Sequence, residues 1–193
     1  MKRIAVLVSG GGTNLQALID AEKSGILKSG KISLVLSNRE GVYALTRAQN
    51  AGIAAEAIVN RDPDALCRAL LEKLSENRID FIVLAGFLAI LTPEFVEAYK
   101  GRIINIHPAL LPKYGGRGFY GLNVHRAVLA AGETVSGATV HFVTAGVDQG
   151  EILAQKEVAV LEGDTPETLQ QRIMEEAEWI LLPRVTEELC KTL

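Results

Sequence analysis

The chain has 193 residues, of which 48% are hydrophobic and 22% charged, with 20 Lys and Arg set against 23 Asp and Glu for a formal charge of -3. That length buries a full core in one domain without staples, and the balance excludes a disordered or fibrous chain. It carries no basic excess of the kind that marks a nucleic-acid binder.

Cys67 and Cys190 lie far apart and outside any CxxC spacing, so they read as buried apolar residues of a reducing compartment, not as a disulfide or zinc framework. The apolar run Ile4 to Val8 is too short for a signal peptide. The longest such run, Phe81 to Leu91, is about half the ~20 residues a membrane span needs. A cytoplasmic protein without membrane contact is expected.

Strand and helix signals alternate through the first half. Ile4 to Val8 stops at glycine like a strand buried on both faces. Asn14 to Ala21 follows as a helix with Leu15, Leu18 and Ile19 on one side. Ile32 to Leu36 reads as a strand, Tyr43 to Ala51 as a helix closed by Gly52, and Ile53 to Ile58 as a third strand. Asp62-Pro63-Asp64 opens a helix running to about Glu76, with an acid cap and proline in the first turn. Phe81 to Leu84 and Arg102 to Ile106 complete the strands of this half.

The second half changes character. His107 to Gly121 holds Pro108, Pro112 and four glycines, a long loop of the kind that usually carries function. A helix is predicted from Asn123 to Ala131, then strands around Ala138 to Val143 and Glu151 to Val160. Asp164-Thr165-Pro166-Glu167 begins the last helix in a capping-box pattern. Leu169, Ile173, Ala177, Ile180 and Leu181 are its predicted apolar stripe, with a kink or break at Pro183. The sum is an α/β fold: one Rossmann-like domain over 1–193 with a central, mostly parallel sheet flanked by helices. Within it a phosphate-binding half is expected over 1–100 and a catalytic half over 101–193.

Three groups of residues carry chemistry. Ser9-Gly10-Gly11-Gly12-Thr13-Asn14 joins the first strand to the first helix, where glycines permit close backbone approach and free N–H groups attract an anion. A dinucleotide fingerprint fails there, because Leu15 replaces its third glycine and Ser37-Asn38 stands where an acid should. A Walker loop fails for want of a Lys-Ser/Thr pair. What remains is a phosphate monoester or a merely tight turn. Asn105 and His107 share one side of a strand's C-terminal end, an amide donor for an oxyanion beside an imidazole that moves protons. The plainer alternative is a histidine pinning the proline loop. His125 and His141 read as structural, and histidines so scattered make no metal site. Asp148, in a glycine-bracketed loop, is either a surface turn residue or a partner that raises the His107 pKa.

In this order, the pieces resemble the folate-dependent phosphoribosylglycinamide formyltransferase family over nearly the whole chain. The segments that carry the resemblance are Ser9 to Leu15, Leu84 to Leu91, Asn105 to Pro112, and Gly137 to Val143 leading to Asp148 and Gln155. The resemblance implies transfer of a formyl group from 10-formyltetrahydrofolate, as co-substrate, to the amine of 5′-phosphoribosylglycinamide in purine biosynthesis, with no metal. It implies His107, Asn105 and Asp148 as catalytic residues. Gly12, Thr13, Asn14 and Glu178 would bind the phosphoribosylglycinamide, and Leu88, Ala89, Ile90, Leu91 and Asn105 the folate. A monomer or homodimer that binds small molecules and no nucleic acid is expected.

This sequence departs from the family pattern in places. Ala89 stands where many members carry arginine, and Pro63 where many carry an arginine near the folate tail, with Arg61 close by. The loop from Tyr114 to Gly121 is longer than in the shorter-loop members. The related methionyl-tRNA formyltransferases and formyltetrahydrofolate deformylases share catalytic segments but carry a further C-terminal or N-terminal domain, for which this chain is expected to leave no room.

Overall fold

The first strand sets the architecture. In β1 (Lys2–Val8), Ile4 to Val8 have no solvent exposure, so apolar layers must cover both faces. A computed structural model describes residues 1–192 and supplies those layers. The chain continues through α1 (Thr13–Ser24), β2 (Gly30–Ser37), α2 (Tyr43–Asn50), β3 (Ala54–Ala57), α3 (Pro63–Glu76), β4 (Phe81–Leu84), α4 (Pro93–Ala98) and β5 (Ile103–His107). Then come α5 (Leu122–Ala130), β6 (Val135–Phe142), β7 (Ile152–Ala159), α6 (Pro166–Ile173), a π-helical turn at Met174–Glu178, and α7 (Trp179–Thr192).

The seven strands form one sheet in the order β3-β2-β1-β4-β5-β6-β7. All pairs from β3 to β5 are parallel, while β5–β6 and β6–β7 are antiparallel. Ile4, Val6 and Val8 pack with residues of α1, α2, α6 and α7; Ala5 and Leu7 pack on the other face with α3 and Phe95 of α4. From β1 the chain proceeds to β2 on one side and later returns to β4 on the other. The crevice beyond the strand ends at such a reversal is where open α/β sheets hold ligands.

The single α/β domain with a mostly parallel sheet is as expected. Asp62 caps α3, its carboxylate accepting the N–H groups of Asp64 and Ala65. Thr165 caps α6 in a capping box with Thr168. Three details differ. The short helix α4 was not anticipated, although Thr92 caps it and Pro93 occupies its first turn. The expected stripe of the last helix fails after Ala177: Ile180 is 42% exposed, whereas Leu182 and Val185 are buried. The π turn adds one residue to the helical cycle, so the buried face resumes five residues after Ala177. Helix α7 also runs through Pro183, and the irregularity lies one turn earlier, at Met174–Glu178.

No helix among the described residues is long and apolar enough to cross a membrane.

One carboxylate ties α7 to the sheet. Glu187 accepts the backbone N–H groups of Lys28 and Ser29 at 2.8 Å each and the Ser29 hydroxyl at 2.9 Å, and it pairs with Lys191 at 3.2 Å. Burial opposes its charge, yet these donors bring its pKa down to about 2. In Glu187→Ala the two amides lose their acceptor, and a destabilisation of about 2–3 kcal/mol is expected as a lower urea midpoint at unchanged slope. Because the folded pKa is depressed, the carboxylate's contribution is complete above its ordinary value of 4.5 and fades as pH falls toward 2. The gap between wild type and variant should narrow accordingly in acid.

Candidate active site

A cleft of about 530 Å³ opens at the C-terminal ends of the parallel strands. Thr13, Asn14, Leu88 to Leu91, Asn105, His107, Asp148 and Glu178 all line it, so residues far apart in sequence converge there. Residues from both sides of position 100 meet in it. Glu178, from the second half, stands against Asn14, and Leu88 to Leu91, from the first, line the wall near Asn105 and His107.

The glycine loop leaves β1 at Ser9, which is buried. Its hydroxyl donates to Asn38 Oδ1 at 2.6 Å and accepts the Leu88 N–H at 2.8 Å, joining the loop to the ends of β2 and β4. Asn38, at the position a dinucleotide site reserves for an acid, is thus engaged inward. Gly12 takes φ 75°, a left-handed conformation suited to glycine. A Cβ there would lie 2.6 Å from Ala44 Cβ of α2, so the packing of the turn against that helix admits only glycine. Thr13 and Asn14 do face the cleft.

Asn14 Nδ2 donates to Glu178 Oε2 at 2.5 Å. Glu178 lies in the π turn, whose extra residue brings this carboxyl to the cleft wall beside Met174. Burial pushes its pKa up to about 6, against the opposing pull of the Asn14 amide.

The second group sits where β5 meets β6. Asn105 is directly opposite His141, and His107 opposite Thr139. Asn105 Nδ2 lies 3.1 Å from His141 Nε2, and His141 Nδ1 lies 2.8 Å from the Phe142 carbonyl. A carbonyl only accepts, so Nδ1 carries a proton; Nε2 takes the Asn105 N–H when the ring is neutral and donates to Asp148 when the ring is protonated. The second amide hydrogen of Asn105 stays available to the cleft. His107 Nε2 donates to the Tyr114 carbonyl at 2.7 Å, which leaves Nδ1 as the titrating nitrogen, 3.6 Å from Asp148 Oδ2.

Asp148 therefore does stand against His107. Its Oδ1 is also 3.5 Å from His141 Nε2, and its Oδ2 accepts the Gly116 N–H at 2.9 Å. Burial raises the Asp148 pKa, but the bond to His141, the Gly116 amide and the charge of His107 together hold it below its ordinary value. The expected rise in the His107 pKa is reversed. Burial lowers it by more than Asp148 and the Tyr114 carbonyl raise it.

His141, which the sequence reads as structural, lines the cleft. The clue is its two-residue separation from Thr139 on one strand face, but only the antiparallel register sets it opposite Asn105. His125 is buried in α5 with both ring nitrogens unpartnered, and burial pushes its pKa down to about 4.

The loop after β5 is pinned from beneath. Thr139 Oγ1 donates to the Ala109 carbonyl at 2.6 Å, and Gln155 Nε2 to the Leu111 carbonyl at 2.9 Å. Residues Gly116 to Gly121 form one lip of the cleft, and Arg61 is not among its lining. Apolar side chains are exposed on the opposite wall, Leu88 at 45% and Ile90 at 55%, flanking Ala89. Among the described residues no group of three or more His, Cys, Asp or Glu could hold a metal ion.

Residues 2–186 match the family described as formyl transferase. The chain is 42% identical over 173 residues to the phosphoribosylglycinamide formyltransferase of Escherichia coli K12, covering 88% of this chain and 79% of that protein. It is 48% identical over 184 residues to the trifunctional purine biosynthetic protein adenosine-3 of Drosophila pseudoobscura, where the match covers 92% of this chain but spans 13% of the much longer relative. The crystal structure of glycinamide ribonucleotide transformylase 1 from Symbiobacterium toebii superposes with a TM-score of 0.93 at 40% identity, over 100% of this chain and 89% of that one.

Two outcomes follow from the charges in the cleft. Asp148→Asn keeps shape while removing the charge that favours the His107 imidazolium, so the His107 pKa should fall further, read by NMR titration of the histidines. Glu178 has a folded pKa above its ordinary 4.5, so its favourable contribution is complete below 4.5 and lost as pH rises through about 6. Glu178→Gln, which keeps the bond from Asn14, should therefore exceed wild type in stability by about 2 kcal/mol above that window and match it below. Urea unfolding on both sides of the window checks this.

Proposed function

The chain belongs to the formyl transferase family, and on that premise we propose that it moves the formyl group of 10-formyltetrahydrofolate to the amine of 5′-phosphoribosylglycinamide, a step of purine biosynthesis in the cytoplasm. The observation that carries this reading is the union, in one cleft, of Thr13 and Asn14 at the end of the glycine loop with the Asn105, His107 and Asp148 cluster. The named activities of the bacterial and Drosophila relatives support it.

The apolar wall at Leu88 to Leu91, with exposed Leu88 and Ile90, suits a flat heteroaromatic ring held by backbone groups and apolar contact. The bound folate supplies the formyl carbon. Thr13, Asn14 and the loop amides hold the phosphate of the acceptor, and Glu178 receives its polar sugar groups.

As the acceptor amine adds to the formyl carbon, negative charge develops on the formyl oxygen. The free N–H of Asn105 and the protonated Nδ1 of His107 donate to that oxygen. Asp148 stabilises the imidazolium and, through water, takes a proton from the new ammonium and passes it to the departing folate nitrogen. The bond from carbon to the folate nitrogen then breaks, leaving N-formylglycinamide ribonucleotide and tetrahydrofolate. Protons and charge balance without an added reagent.

The test is the formation of tetrahydrofolate with and without phosphoribosylglycinamide, and with an initiator methionyl-tRNA in its place. Acceptor-dependent turnover is expected with the ribonucleotide only; equal release with water alone would overturn the reading. His107→Ala should reduce the transfer at least ~10²-fold in a folded protein, the range that a positioned proton-transfer or oxyanion group supplies.

A further inference from the structure

The glycine loop is held open from behind. We propose that Arg47, on α2 and outside the cleft, is the positioning residue that aims the backbone N–H groups of Gly11 and Gly12 at the substrate phosphate. This deepens the reading above and rests on it.

The argument starts from the peptide plane. In a trans peptide the C=O of one residue and the N–H of the next point in opposite directions, and the peptides of this loop are trans. Three consecutive carbonyls are anchored on the far side. Gly10 C=O accepts the Ala44 N–H at 3.2 Å, Gly11 C=O accepts Arg47 Nε at 2.8 Å, and Gly12 C=O accepts the Gln16 N–H at 2.9 Å. The N–H groups of Gly11 and Gly12 are thereby turned away from α2, and that of Thr13 points out of the N-terminus of α1.

Among the described residues the Gly11 and Gly12 amides donate to no backbone or side-chain acceptor. Successive free amides of this kind form a concave nest for an anion. The outer two anchors come from regular helix geometry, the N-terminus of α2 and the first turn of α1. The middle one comes from a side chain.

Arg47 is itself fixed for this task. Its Nη1 donates to Gln16 Oε1 at 3.1 Å, and its guanidinium carbon lies 4.8 Å from the centre of the Tyr43 ring. Gln16 is held in turn by Asp20, with Nε2 to Oδ1 at 2.9 Å. Gly12 closes the arrangement from the other direction, since any side chain there would strike Ala44 and part the loop from α2. Without Arg47 the Gly11–Gly12 peptide is the one plane of the three free to rotate. A rotation would present a carbonyl oxygen to the phosphate in place of an N–H.

The experiment compares wild type, Arg47→Ala and Arg47→Lys in the full chain. Ribose 5-phosphate is titrated by calorimetry and inorganic phosphate by the amide NMR signals of Gly11 and Gly12, with steady-state kinetics alongside. In wild type both amide signals should move on titration. In Arg47→Ala the ribose 5-phosphate Kd and the KM for the phosphorylated acceptor should rise about tenfold or more, the effect of losing a charge-assisted hydrogen bond. The kcat and the KM for the formyl donor should stay within about twofold, since the reacting groups are untouched. The defect should persist at high salt, and Arg47→Lys, which keeps charge but not the planar fork, should restore little of it.

A defect that vanishes in salt or is fully restored by lysine would mean that Arg47 acts as a charge, and the proposal fails. A fall in kcat at unchanged KM would mark partial unfolding and overturn it as well. If wild type itself binds no ribose 5-phosphate, the phosphate site of the proposed function is at fault. If wild type binds and Arg47→Ala binds equally, only the role of Arg47 is lost.

Discussion

The Asp148 carboxylate is the contact on which the cleft depends. It faces His107 through one oxygen and His141 through the other, and it receives the Gly116 amide from the loop that forms the cleft's lip. Asp148 itself sits at φ 54°, a conformation that aspartate tolerates better than most side chains. Burial disfavours charge on His107, while the carboxylate favours it. Burial and the carboxylate thus pull the imidazole in opposite directions, and burial prevails. A histidine buried without the carboxylate would stay neutral, as His125 does close by.

Around this contact, the fold supplies rigidity in layers. Strand β5 delivers Asn105 and His107 two residues apart, and its antiparallel neighbour delivers His141 at a set register. Thr139 and Gln155 bond the backbone of the following loop, so the Tyr114 carbonyl that holds His107 Nε2 is itself anchored. The hydroxyl of Ser9 then links the glycine loop to Leu88. The glycine loop and the Leu88 segment are therefore one hydrogen-bonded body.

The π turn at Met174–Glu178 shows how a local irregularity serves a site. A regular α-helix continuing from α6 would carry its buried stripe through Leu181, as the apolar spacing suggests. The extra residue instead buries Glu178 against Asn14 and moves the apolar face to Leu182. The burial raises the carboxyl pKa, and the structure tolerates this because a side chain from the glycine loop donates to it.

The sequence alone determined most of the elements and their packing. Continuous apolar runs such as Ile4 to Val8 and Phe81 to Leu84 can only be buried strands, and caps such as Asp62 and Thr165 mark helix starts whatever surrounds them. It also marked the glycine loop and the Asn105–His107 pair, because these are local patterns with local causes. The tertiary structure decided what depends on distance across the chain. His141 joined the site through β5–β6 register, Gly12 packed against Ala44 where no side chain fits, and the pull of Asp148 on His107 was outweighed by burial. Register, the direction of a missing Cβ and the competition between burial and charge are set by neighbours remote in sequence. No spacing of residues along the chain encodes them.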